Sequence, residues 1–281
     1  MHQTLFVFDI ETVPDTNAAR ALTGVDTTDV DELRQALTDY HLEVTDGRNS
    51  FLRQPFHKVV AISFLEAEIH RDGPTETYHL RDLRSGGRFE APEAELLAGF
   101  FQYIDRHKPR LVSFNGRTFD LPVLKYRAMV HGVQANWLHT GGDKWNNYNS
   151  RYSADWHCDL LEVLSDFGAS SRIKLNEVCS VLGLPGKFGV DGSQVTPLFD
   201  EGKLDTIRNY CETDVLNTYL LYLRVMHHQG RLATRDHDAA VAEVITFIEG
   251  HAKDRPYLLD FMNAWHAACH GKFLLADIKA A

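Results

Sequence analysis

The hydrophobic pattern is clearest at the start of the chain, where it predicts a β-strand. Phe6, Phe8 and Ile10 take alternate positions, and Asp9 and Glu11 take the positions that follow Phe8 and Ile10. Side chains along a strand repeat with a period of two, so both carboxylates lie on one face. Most of these residues are aromatic or β-branched, and a proline three positions after Glu11 is expected to end the strand.

Similar patterns predict the elements that follow. Short apolar runs bounded by turn residues predict three more strands, at residues 59–64, 76–80 and 111–114. Apolar residues at intervals of three and four predict helices at residues 93–107, 120–131, 174–182 and 205–227. This order of strands and helices indicates an α/β fold in which a mixed sheet lies between helices.

Two parts of the chain fall outside this pattern. Residues 15–55 form an acidic insertion that is expected to be irregular, apart from one short helix at about residues 30–40. Beyond residue 230, apolar periodicity predicts two further helices, at residues 239–249 and 256–268. These two helices either pack on the core or form a surface for a partner.

Two more acidic motifs lie at the ends and faces of predicted helices. Asp120 follows Asn115-Gly116, a strong turn-forming pair, and precedes a proline in the first helical turn, which fits an N-cap. Asp214 lies four residues after Tyr210, so the two side chains share one face of a helix that is otherwise rich in core residues. A carboxylate on such a face is costly unless a cation neutralises it.

Taken together, the three motifs predict a site for a divalent metal ion. Carboxylates that share a site repel one another unless a cation lies between them. Mg²⁺ prefers oxygen ligands and is usually bound through one or two carboxylates together with phosphates of the substrate, which favours phosphodiester cleavage. Taken singly, the motifs are also explained by an acidic turn, a helix cap and a solvated helix edge.

In this order the motifs resemble those of the DEDD superfamily of 3′–5′ exonucleases. The first motif of that family is Asp-x-Glu on the first strand, matched by Asp9 and Glu11, and the second is an Asp that opens a helix, matched by Asp120. The third is Tyr-x-x-x-Asp or His-x-x-x-x-Asp, and Tyr210 with Asp214 matches the tyrosine form (DEDDy). The surrounding sequence is most similar to stand-alone bacterial exonucleases related to the exonuclease domain of family-B DNA polymerases.

The resemblance covers about residues 1–230 and implies a ribonuclease-H-like (DnaQ-like exonuclease) fold. That fold is a mixed five-stranded sheet flanked by helices, here with a helical C-terminal extension at residues 231–281. The resemblance also implies two ions, Mg²⁺ or Mn²⁺, held by Asp9, Glu11, Asp120 and Asp214. Tyr210 is expected to orient the attacking water rather than to act as a base, because an unperturbed phenol titrates near about 10. The implied products are nucleoside 5′-monophosphates.

Residues next to the motif carboxylates are the expected substrate contacts, namely Ile10, Thr12, Asn115, Arg117 and Phe119. Residues 139–157 combine aromatic side chains with two cations, and Trp145 is expected to stack there on bases of a single strand. Packing of these aromatic residues onto the body of the protein is an equal alternative. Lys187 lies in a Gly-Lys loop that the family places on the substrate side, and Asp159 is expected to be structural.

Composition limits where the chain works and how tightly it binds. No apolar run among the 281 residues approaches the about 20 residues that span a bilayer, and the chain enters a strand too early for a signal peptide. The four cysteines lack metal-ligand spacing, as expected in a reducing cytoplasm. A net charge of −10 is unexpected for an enzyme of nucleic acids and indicates weak, non-processive binding.

The sequence therefore predicts a metal-dependent 3′–5′ exonuclease that acts on nucleic acid, preferably single-stranded DNA, and not at a membrane. An RNA exonuclease with the same mechanism is the first alternative, because no residue is assigned to a 2′-hydroxyl contact. A non-catalytic module that holds 3′ ends is the second alternative. It is disfavoured because binding alone does not require four carboxylates that face phosphate.

Overall fold

The computed structural model describes residues 2–187, 189 and 191–279, and it is built around a five-stranded mixed sheet. The strands are β1 (Thr4–Pro14), β2 (His57–Asp72), β3 (Thr75–Ser85), β4 (Arg110–Ser113) and β5 (His157–Asp159). Their spatial order is β3-β2-β1-β4-β5. β2 is antiparallel to β1 and β3, whereas β4 is parallel to β1 and β5. The predicted mixed five-stranded sheet is confirmed.

Twelve α-helices accompany the sheet in the part of the chain that the structure describes. The first group is α1 (Thr16–Thr23), α2 (Val30–Val44), α3 (Glu93–His107) and α4 (Asp120–Val130). The second group is α5 (Asn136–Thr140), α6 (Leu160–Leu164), α7 (Leu175–Leu182) and α8 (Val195–Asp200). The last group is α9 (Leu204–His228), α10 (Thr234–His251), α11 (Pro256–Cys269) and α12 (Leu275–Lys279). None of the described helices is both long and apolar enough to cross a membrane.

The two faces of the sheet bury separate hydrophobic cores. On one face, Phe6 and Phe8 of β1 pack with side chains of α3 and α4. On the other face, Leu5 and Val7 pack with side chains of α9 and of the helices around it. Because β1 is the central strand, it is apolar on both faces until Asp9, where the face toward α9 changes to carboxylates.

Three elements differ from the predictions made from sequence. β2 and β3 are longer than expected, 16 and 11 residues, because they pair with each other beyond the end of β1. β5 overlaps the segment expected to be a loop, since three residues are too few to show a period. The insertion at residues 15–55 is not irregular, because α1 and α2 enclose a small core of their own around Leu33, Leu37 and Leu52.

The helices beyond residue 230 pack on the body of the protein. α10 lies against β3, and α11 lies against α9 and α10. Val244, Phe261 and Trp265 are buried in the same core as Leu5 and Val7 of β1. Of the two arrangements that the sequence allowed for these helices, packing on the core is the one observed.

A buried ion pair joins the sheet to α9. Arg110, at the start of β4, is 2% exposed, and its two terminal nitrogens donate to Glu76 of β3 at 2.6 and 2.9 Å. The guanidinium also donates to the Tyr222 hydroxyl of α9 at 2.9 Å. Burial by itself raises the pKa of Glu76, but the hydrogen bonds and charge of Arg110 outweigh it and lower that pKa to about 2.

We expect Arg110→Met to destabilise the fold by about 3–5 kcal/mol at neutral pH, because Glu76 would remain buried without its main cation. The stabilisation from this pair is complete above the ordinary Glu76 pKa of 4.5 and is lost as the pH falls towards 2. Urea denaturation at several pH values measures the difference. Arg81→Met is the matched control, since it breaks an exposed ion pair with Glu68 and should change stability little. Equal losses in the two variants would contradict this role of Arg110.

Candidate active site

The three acidic motifs meet in one cleft with a cavity volume of about 450 Å³. Asp9 and Glu11 enter it from β1, Asp120 enters from the start of α4, and Tyr210 and Asp214 enter from α9. One carboxylate oxygen of Asp9, one of Glu11 and the sulfur of the neighbouring Cys211 lie within 4.8 Å of one another. The fold thus brings together all five residues that the sequence analysis singled out as catalytic.

Asp120 does not cap α4, contrary to the prediction. Phe119 takes the N-cap position, Asp120 is the first helical residue, and no described side chain caps the helix. The Asp120 side chain is buried at the cleft, where its charge raises the pKa of Asp9. Sequence alone does not separate the N-cap from the next position, because helix ends are uncertain by one or two residues.

Asp159, at the end of β5, holds the loop that precedes α4. Its two carboxylate oxygens accept hydrogen bonds from the backbone N–H groups of Asn115 at 2.9 Å and Arg117 at 2.8 Å. It also accepts one from the N–H of Leu161 at 3.0 Å, which caps α6. Asp159 therefore fixes the second motif from behind, in keeping with the structural role expected for it.

Gly116 lets the same loop approach the sheet closely. A Cβ atom at this position would lie 2.3 Å from Ser113 Oγ and 3.5 Å from Asp120 Oδ2. Any side chain would therefore push the loop away from β4 and displace the carboxylate that follows.

Crowding of carboxylates dominates the electrostatics of the cleft. Burial and then the charges of Asp120, Glu11 and Asp214 raise the pKa of Asp9 well above its ordinary value. Burial, followed by the charge of Asp214, does the same to the pKa of Glu11. Burial raises the pKa of Asp120 to about 7. The cleft therefore favours binding of a cation over four free negative charges.

One buried oxygen of Asp214 lacks a partner among the described residues. Its Oδ2 lies 3.1 Å from Lys187 Nζ, whereas Oδ1 accepts no hydrogen bond from the part of the chain that the structure describes. An unpaired buried carboxylate oxygen costs free energy. A hard divalent cation is the ligand that such an atom and its carboxylate neighbours prefer, so the donor set fits Mg²⁺ or Mn²⁺.

Cys211 is a member of this cluster that the sequence analysis missed. Burial raises the pKa of its thiol well above the usual range, so the sulfur stays protonated and points at Asp9 Oδ2 at 3.8 Å. It is thus a weak donor to the carboxylate rather than a thiolate ligand. Its position next to Tyr210 in the third motif was the available indication.

Lys187 and Tyr210 meet at the edge of the carboxylate cluster. Lys187 Nζ donates to the Tyr210 hydroxyl. Burial, followed by the charges of Asp214, Glu11 and Asp9, raises the pKa of Tyr210 far above its ordinary 10. The phenol therefore keeps its proton at neutral pH, which suits a hydrogen-bonding role and excludes that of a general base.

Asn217 fixes the loop that carries Lys187, and the sequence analysis missed it. Its side-chain oxygen accepts from the Gly186 N–H at 3.0 Å, and its nitrogen donates to the Gly186 carbonyl at 2.9 Å. Gly186 has φ 66°, and a Cβ there would lie 2.4 Å from Asn176 Oδ1. A fully buried amide in the apolar run of α9 was the indication in the sequence.

The remaining expected substrate contacts divide into two groups. Four of them line the cleft, namely Ile10, Asn115, Phe119 and Lys187. Among the described lining residues, Thr12 and Arg117 do not occur. The Thr12 hydroxyl lies 2.9 Å from His57 Nδ1, and the Arg117 guanidinium donates to the His157 carbonyl at 3.2 Å.

The aromatic loop at residues 139–157 does not bring Trp145 to the cleft. Trp145 is 72% exposed and is absent from the described residues that line the site. Tyr148 is buried, and its hydroxyl donates to the Pro109 carbonyl at 2.6 Å. Tyr148 thus follows the alternative interpretation, in which aromatic residues pack this loop onto the body.

The sequence is similar to those of exonucleases and DNA polymerases. A family model described as a predicted 3′–5′ exonuclease related to the exonuclease domain of PolB matches residues 49–265. The DNA polymerase epsilon catalytic polypeptide from Dictyostelium discoideum is 30% identical over 149 residues, which are 49% of this chain and 6% of that protein. Its counterpart from Schizosaccharomyces pombe is 26% identical over 218 residues, which are 70% of this chain and 10% of that protein. The chain thus spans a tenth or less of the length of these curated relatives.

Among solved structures, the family B DNA polymerase from the archaeon Pyrobaculum calidifontis matches 90% of this chain and 29% of its own, with 15% identity and a TM-score of 0.46. The family model begins after β1. Its match therefore includes Asp120, Tyr210 and Asp214 but not Asp9 and Glu11.

The raised pKa of Asp120 predicts how stability depends on pH without metal. Because the folded state holds the proton up to a pKa of about 7 and the ordinary value is 3.8, stability should fall as the pH rises through this window. In a chelator, Asp120→Asn should remove a loss of up to about 4 kcal/mol between pH 4 and 8. Thermal unfolding across this range measures it, with Asp260→Asn on the exposed side of α11 as the control. A pH dependence unchanged from wild type in Asp120→Asn would refute the assignment.

Proposed function

This chain belongs to the family of predicted 3′–5′ exonucleases related to the exonuclease domain of PolB, and on that premise we propose that it hydrolyses DNA from the 3′ end. The observation that carries the proposal is the meeting of four buried carboxylates in one cleft, where one Asp214 oxygen lacks a partner among the described residues. Its products are nucleoside 5′-monophosphates. Its substrate is preferably single-stranded, because a chain with a net charge of −10 has little capacity to grip both strands of a duplex.

Two Mg²⁺ or Mn²⁺ ions held by Asp9, Glu11, Asp120 and Asp214 would activate a water molecule and neutralise charge on the departing 3′ oxygen. The residues of the chain position what the ions act on. Tyr210 keeps its proton and orients the attacking water through its hydroxyl. Lys187 carries a positive charge at the edge of the cleft, where it offsets that of the phosphate.

The choice of DNA over RNA rests on the relatives. Those with the similarities given above are catalytic polypeptides of DNA polymerase epsilon, which supports DNA as the substrate class. We propose residues 1–230 as the exonuclease domain and residues 231–281 as a helical extension. A cytoplasmic location is part of the proposal, and it agrees with four cysteines that are free in the structure.

Digestion of 5′-labelled oligonucleotides tests the activity. With Mg²⁺ or Mn²⁺, single-stranded DNA should shorten from the 3′ end faster than RNA or blunt duplex DNA, and a chelator should stop the reaction. Asp9→Ala and Asp214→Ala should each lower the rate at least about 100-fold, since each removes a metal ligand. Asp260→Ala serves as the control. Tight binding of 3′ ends without cleavage in either metal would favour the non-catalytic module instead.

Tyr210→Phe tests the role of the hydroxyl. It keeps the ring and removes only the hydrogen-bonding group, so kcat should fall about 10–1000-fold with KM little changed. Tyr219→Phe is the matched control, because Tyr219 lies buried on the same helix and its hydroxyl has no hydrogen-bond partner among the described residues. Steady-state kinetics on a single-stranded oligonucleotide separate the two parameters. A raised KM with normal kcat would assign Tyr210 to substrate binding.

A further inference from the structure

Phe51 is an exposed aromatic residue that the sequence analysis did not single out. It lies at the end of the insertion, just before β2, and 59% of its surface is exposed. Its ring centre is 5.7 Å from that of Phe119 and 5.2 Å from that of His57. Phe119 in turn lines the carboxylate cleft. Phe51 therefore extends the aromatic wall of the cleft outward to solvent.

The segment around Phe51 is tied to the site rather than hanging free. The Gln54 side chain donates to the Thr118 carbonyl, in the loop of the second motif, at 3.0 Å. His57 Nε2 lies 3.0 Å from the Leu52 carbonyl, and its other ring nitrogen bonds to Thr12 of β1. These contacts hold the Phe51 ring at a fixed place beside the motif that supplies Asp120.

Exposure alone would not assign a role to Phe51, because single apolar residues are common on protein surfaces. Its neighbours distinguish it from the other exposed aromatic residues. Trp145 and Phe89 are also more than half exposed, but neither belongs to the ring cluster that reaches the cleft in the described part of the chain. Phe89 lies beneath Arg208 instead, 5.5 Å from its guanidinium.

We propose that Phe51 stacks on an unpaired base of single-stranded DNA, upstream of the scissile phosphodiester. This inference rests on the proposed function, and it assigns to the insertion the task of selecting single strands. Stacking suits an acidic chain because it adds affinity for nucleic acid without cations. A base within a duplex has both faces covered, so only an unpaired strand gains from the contact.

Binding and turnover of three substrates test the proposal with Phe51→Ala and the matched control Phe89→Ala. The substrates are a ten-nucleotide oligothymidylate, a blunt duplex of the same length, and the p-nitrophenyl ester of thymidine 5′-monophosphate, which has no upstream base. Phe51→Ala should raise the Kd of the single strand, measured in Ca²⁺, about 5- to 150-fold. Duplex binding and turnover of the ester should stay within about twofold of wild type. Phe51→Trp should restore single-strand affinity.

Several results would overturn the proposal. Single-strand affinity of Phe51→Ala equal to that of Phe89→Ala would show that the ring contacts no base. Loss of ester turnover in Phe51→Ala would show that Phe51 supports the cleft itself, with thermal unfolding as the check on folding. A larger loss in Trp145→Ala than in Phe51→Ala would move the stacking site to the loop at residues 139–157. If the wild type binds the strand but cleaves no substrate, the proposed function fails, while the binding measurements still decide the role of Phe51.

Discussion

Repulsion between buried carboxylates is the constraint on which the rest of this structure depends. Asp9, Glu11, Asp120 and Asp214 come from three different elements, and in the folded chain their charges raise the proton affinity of Asp9 and Glu11. Nothing in such a cluster holds itself together without a cation. The large apolar cores on both faces of β1 supply the cohesion, and Lys187 supplies part of the missing positive charge.

Helix α9 transmits that cohesion to the site, because it is anchored on both sides of the third motif. Towards its C-terminal end, Tyr222 accepts a hydrogen bond from the buried Arg110 of β4. Within the motif, Glu212 accepts from Ser85 of β3 at 2.8 Å and from Tyr257 of α11. With these contacts the helix resists the outward push on Asp214. Satisfied polar groups and ion pairs far from the cleft therefore matter for its geometry.

The sequence predicted the parts of the site that follow from local periodicity. A strand period of two put Asp9 and Glu11 on one face, and a spacing of four did the same for Tyr210 and Asp214. It did not predict β5, which is too short to show a period, or the clamp made by Asn217, which depends on a loop 31 residues away. Phe51 was equally hidden, because its neighbour Phe119 is distant in sequence and adjacent only in the fold. Tertiary contacts, not local preference, decide such residues.

The packing of the C-terminal helices has a consequence for how the chain can be divided. The motifs end near residue 230, yet Phe261 and Trp265 fill the same core as the central strand. A chain cut at that point would expose this apolar surface, and Glu212 would lose the hydroxyl of Tyr257 beside the third motif. Residue 230 thus marks the end of the motifs without separating two units of folding. The exonuclease part cannot be transplanted onto another protein as an independent module unless its last helices travel with it.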